Sequence, residues 1–141
     1  MSTSYDLSRF VTAQQADGMY ARARAELRNG RKVSHWMWFV FPQVAGLGRS
    51  ATAQHFALAS LDEASAYLDH NVLGPRLVEI SEIVAQGQTT SATDLLGSID
   101  ALKLRSSMTL FAQTVAAPPI FQQVLDKYFS GEPDPATVAL L

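Results

Sequence analysis

The chain has no cysteine among its 141 residues. That excludes a disulfide framework, thiol catalysis, iron–sulfur clusters and cysteine-type zinc sites. It has little charge of either sign: 11 Lys and Arg stand against 13 Asp and Glu, a formal net charge of -2. A generic nucleic-acid coat is therefore not expected, and nucleic acid ranks low among partners. Long apolar runs are missing too. The densest, Trp36 to Phe41, has six residues, where a membrane span needs about 20. The opening Met1 to Asp6 is polar, without the basic start and apolar stretch of a signal peptide. A cytoplasmic location and no membrane partner are expected. Alternation with a period of two is almost absent, which argues against sheet.

The content is that of a folding chain. Hydrophobic residues make up 48% and charged residues 17%, and a chain of this length buries roughly 70% of its unfolded surface. One domain over residues 1–141 is expected. Helical spacing recurs along it. Tyr20, Ala23 and Leu27 share a face, as do Leu61, Ala64 and Leu68, and Leu77, Ile80 and Val84. Leu104, Met108, Phe111 and Val115 form the longest stripe, ended by Pro118-Pro119. Ile120, Val124 and Tyr128 form the last. Asp6, Asp17, Ser34, Ser50, either Ser60 or Asp62, and Asp134 are cap candidates, the last followed by Pro135 at the first helical position. Asn29-Gly30, Gly87 and Ser130-Gly131 are stop signals. The apolar end of the chain is expected to dock on the body. The expected fold is an all-α single domain of six to eight helices with an aromatic-rich core. A short strand or irregular segment near 35–43 stays open, because the run there has no period.

Four places carry chemistry. His35 to Phe41 packs two Trp, two Phe and a Met into seven positions. It is either core or an aromatic wall on which a planar ligand stacks through Trp36 or Trp38. A buried indole N–H needs a partner, so at least one Trp reaches a polar cavity or the surface. Gly46-Leu47-Gly48-Arg49-Ser50-Ala51 superficially fits a dinucleotide loop, but no parallel strands follow, so a Rossmann fold is rejected. The weaker reading keeps Gly46 and Gly48 for close backbone approach, Ser50 at a helix start, and Arg49 for a bidentate contact to an anion. The alternative is an ordinary loop. Arg22, Arg24, Arg28, Arg31, Lys32 and Arg49 are opposed only by Glu26 between residues 22 and 49, a local +5. That cluster is either a solvated face or a steering field for an anion.

On a helix, Asp100, Lys103 and Ser107 form one polar stripe, with Arg105 pointing elsewhere. The stripe is a surface ion pair, or it faces a cleft where Lys103 holds an anion and Asp100 orients it or acts as base. His35, His55 and His70 show no metal-binding spacing, so no metal and no cofactor are expected.

The string from Gly30 to Gln43, with its His35-Trp36-Met37-Trp38-Phe39-Val40-Phe41-Pro42 core, followed by Gly46 to Ser50, resembles a bacterial family of unknown function, number eighteen-ten in that series. Leu73 to Leu77 and Asp100 to Phe111 resemble its later signatures, and Asp6 to Phe10 with Ala13-Gln14 match as well. Members sometimes carry the label calpastatin, which is discounted here because that animal inhibitor is disordered. The resemblance implies a mainly helical cytoplasmic domain. It implies no reaction and no catalytic residue. Whether the chain is an enzyme is left open. The reading carried forward is a small anionic ligand, such as a nucleotide or sugar phosphate. Trp36, Trp38, Gly46, Gly48, Arg49, Ser50, Arg76, Lys103, Arg105 and Ser107 would bind it, and His35 and Asp100 would move protons. The competing reading is a protein-interaction module or homodimer without activity.

Overall fold

The helix N-caps show how local chemistry sets the elements. Ser50, Ser60, Ser91 and Asp134 each accept a hydrogen bond from the backbone N–H three residues on. Each thereby satisfies a donor that the first turn leaves free. The computed structural model describes residues 5–141, and these are all-α apart from one bridge. Six helices run eight residues or more: α1 (Ser8–Gln15), α2 (Met19–Arg28), α5 (Leu61–Asp69), α6 (Leu73–Gln86), α8 (Ser98–Ala112) and α9 (Ile120–Tyr128). Four are single turns: α3 (Met37–Val40), α4 (Ala51–His55), α7 (Ala92–Leu96) and α10 (Pro135–Ala139). The expected count is met by the long helices and exceeded once the short ones are included.

The stripes expected from spacing are largely the buried faces. Tyr20, Ala23 and Leu27 of α2, Leu77, Ile80 and Val84 of α6, and Leu104, Met108 and Phe111 of α8 lie in the core. Four rings form a spine through it. Phe10 meets Tyr67 edge-on at 5.2 Å, Tyr67 meets Phe111 at 5.4 Å, and Phe111 meets Phe121 at 5.6 Å. Such pairs add about 0.5–1.5 kcal/mol each beyond the area they bury. The spine ties α1, α5, α8 and α9 together. Gly74 allows the close approach of α6 to the end of α5: a Cβ there would sit 2.0 Å from the Leu68 carbonyl oxygen.

Several local expectations are corrected. Val115 is not on the α8 stripe. The helix stops at Ala112, Thr114 Oγ1 donates back to the Phe111 carbonyl, and Ala116 turns to positive φ. Val115 is left 91% exposed. Asp17 does not cap α2. It takes φ +54 beside Gly18 at +62, and the chain kinks there between α1 and α2. Ser34 caps nothing, because its hydroxyl is drawn to Glu26. The helix begun by Ser50, which the Ala-rich sequence would carry to about Leu58, ends at His55, and the chain then extends so that Leu58 pairs with Val44. The segment near 35–43 is a helical turn followed by a single parallel bridge, Val44 to Leu58, with Leu58 N–H donating to Gln43 O and Ala45 N–H to Leu58 O.

The last ten residues dock on α8 by polar contacts. Arg105 donates to the carbonyls of Glu132 and Pro133. Asp134 Oδ2 accepts from Ser106 Oγ and Thr137 Oγ1, and Asp134 N–H donates to Thr109 Oγ1. Leu140 then lies over Gly46, where a Cβ would be 3.2 Å from its Cδ2. Val138, Leu140 and Leu141 remain nearly half exposed, so the tail docks more by hydrogen bonds than by its apolar side chains.

Candidate functional site

The two tryptophans, separated by Met37, have different surroundings. Trp36 is wholly buried, and its indole N–H donates to Glu26 Oε1 at 2.9 Å. The same oxygen accepts from the N–H groups of Val33 and Ser34, and Ser34 Oγ donates to Glu26 Oε2 at 2.6 Å. One carboxylate on α2 thus organises the whole turn from Val33 to Trp36. Its partial burial alone would raise its pKa. The donors from Ser34, Val33 and Trp36 outweigh that and hold it at about 2. Among the arginines of its own helix, Glu26 serves as an acceptor for the loop rather than as their counter-ion.

Trp38 is half-buried and carries the polar cluster. Lys103 Nζ lies 3.8 Å from its ring centroid, a close cation–π contact. Lys103 also donates to Asp100 Oδ1 at 3.1 Å. The other carboxylate oxygen, Oδ2, pairs with Lys32 Nζ at 2.9 Å, and Lys32 sits 5.1 Å from the Trp36 ring. The lysine side chains are only 8% and 18% exposed. Asp100 is buried enough for desolvation to push its pKa up, yet hydrogen bonds and charge from Lys32 and Lys103 bring it below the usual value. A carboxylate held this acidic is a weak base, so it is suited to orienting the two ammonium groups.

The glycine loop reaches the same ring. A Cβ on Gly48 would lie 3.7 Å from Trp38 Cη2 and Cζ3, and only 2.5 Å from the Ala53 Cβ. Gly46 takes φ +104 under Leu140. Both glycines therefore have packing reasons to be glycine. Ser50 spends its hydroxyl on the Ala53 N–H, and α4 is too short to gather much dipole. Arg49, next in the chain, is exposed, and its guanidinium makes no ion pair among the described residues.

The remaining candidates lie apart from this cluster or contribute differently. Arg76 donates to Gln14 Oε1 at 3.2 Å and packs 5.0 Å from the Tyr20 ring. Tyr20 in turn donates to Glu79 Oε1 and to the Arg76 carbonyl, and burial pushes its pKa up. Arg105 is the clamp of the chain end already described. His35 is exposed. Ser107 is fully buried, and its hydroxyl has no hydrogen-bond partner among the described residues. None of five well-formed cavities among the described residues is lined by Trp38, Arg49 or Lys103. Lys32 of the cluster lines one of them, a cavity of about 540 Å³ shared with Arg31 and the turn from Thr93 to Gly97. Spacing alone did not reveal Lys32 as the second partner of Asp100, nor Glu26 as the acceptor of Trp36. For Glu26 the one signal was the need of a buried indole for a partner; for Lys32 there was none.

Among the described residues, no three His, Asp or Glu side chains converge as a metal site. No helix there is long and apolar enough to cross a membrane. A search of curated proteins gives no match. Among solved structures, the chain is similar to the conserved hypothetical protein Rv1873 from Mycobacterium tuberculosis. The two are 51% identical over 97% of this chain and 96% of that one, with a TM-score of 0.93. Residues 4–141 match the profile of a family described as protein of unknown function (DUF1810). With nearly its whole length matched, the chain belongs to the DUF1810 family.

Proposed function

We propose that this protein binds a small anionic molecule, of the nucleotide or sugar-phosphate class, at the surface shared by Trp38, Lys103, Lys32 and the Gly46–Arg49 loop. The observation that carries the reading is the convergence on Trp38 of Lys103 from α8 and of the glycine loop. Asp100 balances one of the two ammonium groups that it touches, so the cluster keeps a positive charge. Arg49, the next residue after Gly48 in the chain, is an exposed cation with no ion-pair partner among the described residues. Burial strengthens the charges of Lys32 and Lys103 relative to open water. The half-buried indole supplies a flat apolar face next to those charges. The reading is one of binding, in which Asp100 holds the lysines in place.

A thermal-shift panel of nucleotides, NAD, ADP-ribose and sugar phosphates tests it. At about 100 times its dissociation constant a ligand adds roughly 2.7 kcal/mol, which raises the melting temperature by several degrees. At least one compound should do so with the native chain, and Lys103→Met should abolish the shift. A panel without a single hit, or a hit that persists undiminished in Lys103→Met, rules the reading out.

The second reading, self-association, is favoured by Ile99 and Leu102, one turn apart on α8 and 70% and 65% exposed. Apolar side chains left outward on one helix face suit a second surface. A molar mass that stays monomeric across concentration in light scattering eliminates it.

A further inference from the structure

A trough that shares no residue with the Trp38 cluster runs between α5, α6 and the segment after α8. It encloses about 870 Å³ over a floor of Leu68, Pro75, Val78 and Pro118, with Val115 and Ala116 in one wall. A further 450 Å³ shares Val78, Glu82 and Pro118 with it and continues along α6 to Gln86 and Gln123. From Pro75 to Gln86 the joined trough follows a helix edge of roughly 16 Å at 1.5 Å per residue. That shape is long enough for a peptide segment and longer than one small ring needs.

Its charge is one-sided. The lining includes Asp69, Glu79 and Glu82 and has no Lys, Arg or His. Glu79 is occupied by Tyr20 and Arg24. Asp69 and Glu82 have no ion-pair partner among the described residues. Beside them Val115 is the most exposed of the large apolar side chains. An apolar floor between uncompensated carboxylates repels an anion and attracts a cation with apolar neighbours.

We propose that this trough is a docking site for a short basic amphipathic segment of another protein. The segment lays its apolar side chains over Val78, Val115 and Pro118 and sets Lys or Arg against Asp69 and Glu82, in the manner of a helix in a groove.

Fluorescence anisotropy of a labelled amphipathic Leu/Lys peptide of about twelve residues tests the proposal on the full chain at physiological salt. The peptide should bind the native chain. Asp69→Lys with Glu82→Lys should weaken it at least about tenfold, and Val115→Asp should weaken it as well. The charge-matched control, Asp62→Lys with Asp126→Lys, should bind like the native chain. Absence of saturable binding, or equal weakening by the control pair, overturns the proposal. A native dimer that Val115→Asp dissociates would overturn it too, by showing that a second copy is the occupant.

Discussion

Lys103 stands with its ammonium 3.8 Å from the Trp38 ring centre and 3.1 Å from Asp100 Oδ1, while Lys32 takes the other oxygen of that carboxylate at 2.9 Å. The arrangement joins the turn after α2 to the first turns of α8. Lys103→Met keeps the length of the stem and removes the charge. With a half-buried cation over an indole and one carboxylate bond lost, the cost should be about 1–2 kcal/mol in urea unfolding. A midpoint that does not move would show that the contact contributes nothing to folding.

Glu26 is the acceptor for four donors in one loop. Glu26→Ala leaves the buried Trp36 N–H without a partner and should destabilise by about 3 kcal/mol, and Glu26→Gln by about half that. The acid dependence has a definite sign. The carboxyl titrates at about 2 in the fold against 4.5 in the free state. Below pH 4.5 the unfolded chain binds a proton that the folded chain refuses. The stability from Glu26 is therefore full above that pH and is lost as pH falls toward 2. Asp100 and Glu79, both lowered, act in the same direction. Denaturant titrations at pH 3 and 7 should show a smaller difference for Glu26→Gln than for the native chain; an equal difference would place the acid sensitivity elsewhere.

What was legible beforehand is what local chemistry decides. Spacing picked out the buried faces of α2 and α6, and hydroxyl or carboxylate side chains before apolar runs picked out Ser50 and Asp134 as caps and left α5 to Ser60 or Asp62, of which Ser60 is the cap. The failures fall where tertiary geometry overrides pattern. Val115 continues the α8 stripe in sequence, but the chain must turn before Pro118, so the stripe stops at Phe111. The polar site was half legible. Asp100 and Lys103 share a helix face and do pair. Lys32 meets Asp100 from a distant part of the chain, and no local period encodes that. Nor could spacing separate Arg76, drawn to Gln14 and Tyr20, from Arg49, which stays in water.

Gly48 faces Ala53 so closely that one methyl must go. Gly48→Ala should cost about 2 kcal/mol, within the range for overpacked sites. Adding Ala53→Gly should return part of that loss, and the thermodynamic cycle should show coupling between the two sites. Simple additivity in thermal unfolding would mean that the loop relaxes away.

Ala116 holds φ +58 in the wall of the acidic trough. For a residue with a Cβ that region costs about 1–2 kcal/mol, which glycine avoids at some entropic expense of its own. Ala116→Gly should therefore unfold at equal or higher denaturant concentration than the native chain. A clear drop would mean that the Ala116 methyl contributes more in packing than its backbone strain costs.

The central claim concerns Trp38 as the meeting point of a cationic helix and a glycine loop. Its emission is the most direct reporter, because Trp38 is half-buried whereas Trp36 is sealed in the core and meets the cluster only through Lys32. In a fluorescence titration with each compound that raises the melting temperature, the native chain should show a saturable change, and Trp38→Phe a much smaller one, carried by Trp36 through Lys32. A change of the same size in Trp38→Phe, or a bound compound that leaves the native emission untouched, would contradict the account.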